Sequence, residues 1–367
     1  VSGSGKKSVW SELLVPVVAV LVGLVIGAVF MAATGASPLV AYEALLRGCF
    51  GSPVNISETI VYTTPLIFTG LSIAIAYRAG LFNIGAEGQM IVGMVAAAVV
   101  GAGGAGLPRV IHLPLTVLSG AAAGAIWAAV PGYLKAKLGV HEVVNSIMMN
   151  YIALFFSHYL VNGPIKDPGI ATPYSAEIAD SAKLLRFVGD FHSAFRLNTG
   201  ILIAVAAAVL VFYILYRTTT GYEIRAVGAN PDAARYAGIN VPRSMAVSML
   251  LAGAMAGLAG AVQVCAIQYK FLDLFVFEGF GFDGIAVALV AKGNPLGVIG
   301  AAALFGALSR GSQMMQGMAH VPKEVAGIVQ AAIILLVAAE GLVEGWLRIP
   351  GIGARARRAV AARKEDA

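Results

Sequence analysis

Ten apolar runs punctuate this chain, near residues 11–33, 56–77, 90–107, 112–134, 142–162, 198–216, 242–264, 281–291, 295–312 and 324–347. A helix needs about 20 apolar residues to cross hydrocarbon. The pattern therefore predicts an all-α, polytopic membrane protein of about ten transmembrane helices. The run 281–291 is too short to cross alone and is expected to belong to a broken or tilted element. Composition agrees: 59% of the residues are hydrophobic and 12% charged, against about 25% charged in soluble domains. The mean hydropathy is +0.83. With 367 residues, the chain leaves no room for a separate soluble catalytic domain.

Several functions find no support. "GSGKKS" at the start lacks the four residues a phosphate loop needs between its first Gly and Gly-Lys-Ser/Thr, so the chain is not expected to hydrolyse ATP. Cys49 and Cys265 have no disulfide or zinc spacing and read as small apolar fillers. No histidine pair has metal-ligand spacing and no Ser/His/Asp group stands out, so neither a metal nor a catalytic residue is expected. His141 and His320 fall near span ends, and His158 reads as interfacial. The net charge of +6 is accounted for by positive cytoplasmic loops, and no nucleic-acid partner is expected. The first run is too long for the core of a cleavable signal.

Lysine and arginine asymmetry sets the orientation. With both termini inside, 16 of 25 basic residues fall on the cytoplasmic side, among them Arg78, Lys135, Arg217, Arg225, Arg235 and Lys292. The chain then divides into a cytoplasmic tail (1–10), a transmembrane domain (11–347) and a basic cytoplasmic tail (348–367). The long segment 163–197 faces outside as a lid-like loop, with a short amphipathic helix expected near 178–188. Segment 217–243 faces the cytoplasm.

Three segments carry polar residues where lipid would forbid them. "RAGLFNIGAEGQ" (78–89) holds Arg78, Asn83, Glu87 and Gln89 among three glycines. Each glycine weakens a helix by about 1 kcal/mol, and a charged Glu87 at membrane depth would cost about 2.5–3.5 kcal/mol. On the residues alone two readings stay open: a polar pathway with discontinuous backbone, or a plain cytoplasmic turn. "FEGFGFDGIAVALVAKGNPLG" (277–297) repeats the theme with Glu278 and Asp283, and "LFNIG" resembles "GFDGI". Glycine-broken segments at matching places point to a site between internal repeats. Asn145 and Asn150 lie on one span, where amides serve as interhelical glue or line a pathway. In the cytoplasmic segment, Asn230-Pro231 is a strong helix start and Gly238 a stop. The helix between them is small-faced (Ala233, Ala234, Ala237), as if shaped for a cleft on a partner.

Four ordered motifs, "RAGLFNIGAEGQM", "NSIMMNYIA", "GYEIRAVGANPDAARYAGI" and "GFDGIAVALVAKGNPLGVIGAAALFGAL", together resemble the permeases of nucleoside and simple-sugar ABC importers. These are related to ribose and branched-chain amino acid permeases. The likeness covers about residues 56–345, and the "GLFNIGAEGQ" form is closer to the nucleoside branch. The resemblance implies a multi-pass subunit of the bacterial inner membrane. It binds no cofactor of its own, and ATP is used by partner ATPase subunits. A second, different permease and a substrate-binding lipoprotein or periplasmic protein complete the system, the latter docking on 163–197. Segment 221–240 matches the family's coupling loop, with Gly221, Arg225, Asn230, Pro231, Ala233, Ala234 and Gly238 as coupling residues. Asn83, Glu87, Gln89, Asn150 and Asp283 are the polar pathway candidates, with Phe82 and Phe282 as the apolar wall. A sugar permease is the near alternative. A proton-linked secondary transporter using Glu87 or Asp283 has no need of a coupling loop, and a membrane-embedded enzyme lacks any nucleophile or metal group.

Overall fold

The computed structural model describes residues 9–33, 35–104, 106–187, 195–319, 321–322 and 324–338. Most of the expected N-terminal tail, the basic tail from 348 onward and His320 lie outside the described residues. Thirteen α-helices follow one another there: α1 (Val9–Ala33), α2 (Pro38–Phe50), α3 (Pro53–Arg78), α4 (Ala86–Gly103), α5 (Arg109–Leu138), α6 (Glu142–Asn162), α7 (Gly200–Arg217), α8 (Thr219–Ala229), α9 (Pro231–Tyr236), α10 (Val241–Gln263), α11 (Phe280–Val290), α12 (Pro295–Ala319) and α13 (Glu324–Ala338). Extended pairing among the described residues is limited to three isolated bridges in or beside the long loop. The fold is all-α.

Among the described residues, six helices are long and apolar enough to cross a membrane: α3 to α7, and α10 with its continuation to Gln268. Helices α1, α11, α12 and α13 account for the other four runs, and α11, with 11 residues, is the short broken element. Helix α2 has no counterpart among the apolar runs. It carries an exposed Glu43–Arg47 ion pair at 2.6 Å and packs on α12, where a Cβ on Gly311 would meet Cys49 Sγ at 2.8 Å. Both cysteines are free and buried.

Helix α3 forms the centre and is buried on all sides from Thr63 to Ala76. Pro53 opens it, and Ser52 caps it by accepting from Asn55 N. Its hydroxyls return to its own backbone, as in Thr63 to the Thr59 carbonyl (2.8 Å) and Thr64 to the Ile60 carbonyl (2.9 Å). Such bonds let a helix enclosed by α7, α10, α11 and α12 carry polar side chains without an unpaired group.

A glycine seam locks α4, α5 and α10 together. Gly120 and Gly124 on α5, and Gly253 and Gly257 on α10, are each four residues apart, the spacing that lets membrane helices approach backbone to backbone. A Cβ on Gly93 would meet Gly257 O at 2.6 Å, and one on Gly124 would meet Gly257 Cα at 2.7 Å. These neighbours are backbone and cannot swing aside. Gly257→Val is therefore expected to separate α5 from α10, lowering the thermal midpoint of the purified protein by several degrees and its membrane abundance with it. An unchanged midpoint would show that the seam tolerates side chains.

The long loop between α6 and α7 lies over the ends of α4 and α10. Ile178 N donates to Tyr269 O (2.8 Å), Ala179 N to Gly101 O (2.9 Å) and Leu184 N to Cys265 O (2.9 Å). These bonds correct the helix expected near 178–188. Only Asp180–Ala182 forms a 3₁₀ turn, because the flanking N–H groups pair with neighbouring segments instead of their own carbonyls. Residue 188 lies outside the described residues. At its far end the loop is fixed to α3: Arg196 Nε donates to Glu58 Oε1 (2.8 Å), Arg196 Nη2 pairs with Glu58 Oε2, and Leu197 N donates to Ser57 Oγ (3.1 Å). Arg196→Ala would leave the buried Glu58 without its partner, an expected loss of about 1–3 kcal/mol readable in thermal unfolding, where a shift under a degree would count against it.

Candidate functional site

The chain leaves helical conformation at Arg78 and resumes it at Ala86. Gly80 turns the backbone with φ +73, the left-handed region glycine enters freely. The backbone groups freed by this break must be satisfied internally, and the amides of Asn83 and Asn150 bond several of them. Asn83 and Gln89 form a reciprocal pair, Nδ2 to Oε1 at 2.9 Å and Nε2 to Oδ1 at 3.0 Å. Asn83 also donates to Ser72 Oγ (3.1 Å) and accepts from Gly85 N (3.2 Å). Asn150 of α6 reaches across to accept from Gly88 N (2.8 Å) and donate to Ile84 O (2.9 Å). All four of Asn83, Glu87, Gln89 and Asn150 are at most 1% exposed.

Glu87 makes the long-range connection. Its carboxylate accepts from Gly279 N (2.8 Å) and Gly281 N (2.6 Å), covering the N-terminus of α11. Gly281 lies so close that a Cβ there would meet Glu87 Cα at 2.6 Å. At the other end of α11, Arg78 Nε donates to Gly293 O (2.9 Å) and Nη2 to Lys292 O (3.2 Å). An acid at the N-terminus and a guanidinium at the C-terminus match the helix dipole. Segment 78–89 thus holds the half-helix α11 at both ends, and the two glycine-rich motifs meet in space.

The other pathway candidates keep some surface open. Phe282 is 39% exposed, Asp283 is partly exposed in the first turn of α11, and Phe277 stacks edge-on against Phe282 at 5.7 Å. Phe82 faces a cavity of about 530 Å³ on the opposite side, bounded also by Arg78, Glu142, Arg225 and Gly228.

Residues of the helix break and of the segment 218–240 line that cavity together. Thr218 caps α8 by accepting from Gly221 N (3.2 Å), and Asn230 caps α9 by accepting from Asp232 N and Ala233 N, both at 3.0 Å. Pro231 opens α9, and Gly238 follows it with φ +83. The face expected to be small and outward is divided. Ala233 is exposed, whereas Ala234 is 4% exposed and packs with Val227 and Val241. Tyr236, which the sequence did not single out, is 97% exposed. Arg225 turns inward, donating to Leu215 O (2.9 Å) and lying 5.0 Å from the Tyr216 ring, with Arg78 5.9 Å from the same ring. Gly221 abuts the end of α7, where a Cβ would meet Leu215 C at 2.6 Å. Gly228 abuts the end of α3, where a Cβ would meet Arg78 C at 2.9 Å and Gly80 N at 2.9 Å. Backbone contact therefore runs from α8 directly to the break at 78–80.

Comparison with known proteins adds the context. The family described as branched-chain amino acid transport system / permease component matches residues 55–338. The guanosine ABC transporter permease protein NupP of Bacillus subtilis is 45% identical over 330 residues, covering 89% of this chain and 93% of the relative. The nucleoside ABC transporter permease protein NupB of Lactococcus lactis is 37% identical over 344 residues, covering 92% and 93%. A glucose ABC transporter permease protein of Haloferax volcanii is 34% identical over 334 residues, covering 89% and 87%.

Proposed function

This chain belongs to the family of permease components of branched-chain amino acid transport systems, and on that premise we propose that it is the membrane-spanning permease of an ATP-driven importer of nucleosides. The observation that carries the substrate class is the 45% identity to a guanosine permease along 89% of the chain. The polar residues of 78–89 serve this function by holding α11 in place rather than by touching solute, and Phe282 and Asp283 on α11 contribute to the pathway wall.

The chain supplies no ATPase. Partner ATP-binding subunits dock beneath helices α8 and α9, with Ala233 and Tyr236 as the contacting surface and Asn230, Pro231 and Gly238 setting the shape of α9. Both termini lie in the cytoplasm, which puts these helices on the ATPase side. A second permease chain completes the pathway, and a substrate-binding protein delivers solute to the outer loop 163–197. Closure of the ATPases pushes α8 and α9 as one body. The Gly228 contact carries that motion to Arg78 and, through Arg78, to the C-terminal end of α11. Rigid elements joined by backbone contact suit alternating access, in which one bundle rocks against another.

A sugar is the second candidate solute, favoured by the 34% identity to a glucose permease. Uptake of labelled guanosine and labelled glucose into cells expressing the complete system, with and without this chain, decides between them. Guanosine accumulation that needs the chain is the expected result. Glucose accumulation alone would move the substrate class and leave the permease assignment standing.

A further inference from the structure

Helix α10 does not end as an α-helix. Residues Val264–Gln268 form a single π-helical turn, and Tyr269 then adopts a left-handed conformation with φ 58. Turns of this kind concentrate at functional sites, and a non-glycine residue held left-handed is itself uncommon. Together they aim Gln268 at Glu278, whose Oε1 accepts from Gln268 Nε2 at 2.7 Å. The other two oxygens of the pair, Gln268 Oε1 and Glu278 Oε2, are buried with no hydrogen-bond partner among the described residues. Buried polar atoms are nearly always paired, and here two neighbouring ones are not. Glu278 directly precedes Gly279, so the open oxygens stand at the N-terminal mouth of α11, where Glu87 occupies the Gly279 and Gly281 N–H groups. Phe280, the first residue of α11, packs beside it against the ring of Tyr62, centroids 6.4 Å apart.

We propose that Gln268 and Glu278 are a substrate-recognising pair that accepts two adjacent hydrogen-bond donors of a passing nucleoside. This rests on the nucleoside-importer assignment. With Glu278 ionised both open atoms are acceptors, so the ligand must bring donors. Two oxygens are too few to hold a calcium ion, which takes six to eight. A nucleoside carries two suitable donor pairs, the 2′,3′-diol of its ribose and the N1–H with the 2-amino group of guanine. The chemistry is the same for both: two donors side by side onto two oxygens, with an aromatic body for the adjacent rings.

The test is uptake by the complete importer carrying Glu278→Gln, with membrane abundance matched to the wild type. The substitution keeps an acceptor for Gln268 and turns the open oxygen into a donor, so the fold has little reason to change. The substrates are guanosine, inosine (which lacks the 2-amino group) and 2′,3′-dideoxyguanosine. Guanosine uptake is expected to fall about tenfold or more, the worth of one hydrogen bond to a charged acceptor. The lost preference identifies the donors: over inosine if the base edge is read, over dideoxyguanosine if the diol is. A structural role would slow all three alike, and that result, or unchanged uptake of all three, overturns the proposal. If Glu278→Gln does not insert, Gln268→Met, which keeps the side-chain length, is expected to give the same loss of preference. A wild-type system that imports no nucleoside overturns the importer's substrate class and this pair together, whereas normal import by both variants overturns the pair alone.

Discussion

Glu87→Ala is expected to abolish transport. The substitution removes the acceptor for two backbone N–H groups, Gly279 and Gly281, from a side chain that is 1% exposed. Each orphaned buried donor costs about 1–3 kcal/mol, so the N-terminus of α11 loses roughly 2–6 kcal/mol of local stability, more than a single exposed contact supplies. Helix α11 has 11 residues, too few to be stable without tertiary support, so it should shift or fray while α3 to α7 stay in the membrane. Glu87→Gln keeps a carbonyl for one of the two donors and should fall between the wild type and alanine. The readout is labelled nucleoside uptake at matched membrane abundance, with thermal unfolding alongside. Alanine transport above about a tenth of the wild-type rate would mean that α11 is held by other contacts.

Gly228→Val is expected to uncouple the transporter. Any Cβ at this position would press on the backbone at Arg78 and Gly80, and backbone cannot rotate out of the way as a side chain can. Relief requires α8 to move away from the end of α3, which breaks the contact through which motion of α8 and α9 reaches Arg78. Since Arg78 also holds the carbonyls of Lys292 and Gly293, the C-terminal end of α11 loses its link to α8 and α9. The exposed surface of α9 is untouched. In the purified complex, ATP hydrolysis should persist within about twofold while uptake falls by about tenfold or more, an estimate based on the 1–3 kcal/mol cost of overpacking. Equal losses in both activities would point to failed assembly, and preserved uptake would remove Gly228 from the coupling route.

Much of this architecture was legible because hydrocarbon permits few alternatives. Long apolar runs in a chain poor in charge become helices, and the ten runs match ten helices. The break at 78–89 was legible for the same reason, since glycines, amides and an acid in an apolar setting are costly unless the backbone opens there. The partner of Glu87 was not. It lies 192 to 194 residues away, and no local pattern encodes which helix end a buried acid will cover. The same limit hid the inward turn of Ala234, which depends on Val227 and Val241 closing over it, and the exposure of Tyr236. The long loop misled through its apolar residues near 178–188: Ile178, Ala182 and Leu184 are buried beside backbone hydrogen bonds to the end of α10 and its continuation, not on a helix face, whereas Leu185 and Phe187 are exposed. Gln268 carried no signal, since its significance comes from a π-helical turn and from an acid ten residues on. The glycine seam was written in the four-residue spacings of α5 and α10, which composition alone does not distinguish from the many other glycines of the chain.

The central claim, a permease that moves nucleosides on energy supplied by partner ATPases, is tested most directly in proteoliposomes holding the purified complete complex and the substrate-binding protein. Accumulation of labelled guanosine is measured with ATP on the ATPase side, and again with an imposed proton gradient and no ATP. The account predicts accumulation that requires ATP and does not respond to the gradient alone. Accumulation driven by the gradient without ATP would contradict it and make this chain a secondary transporter.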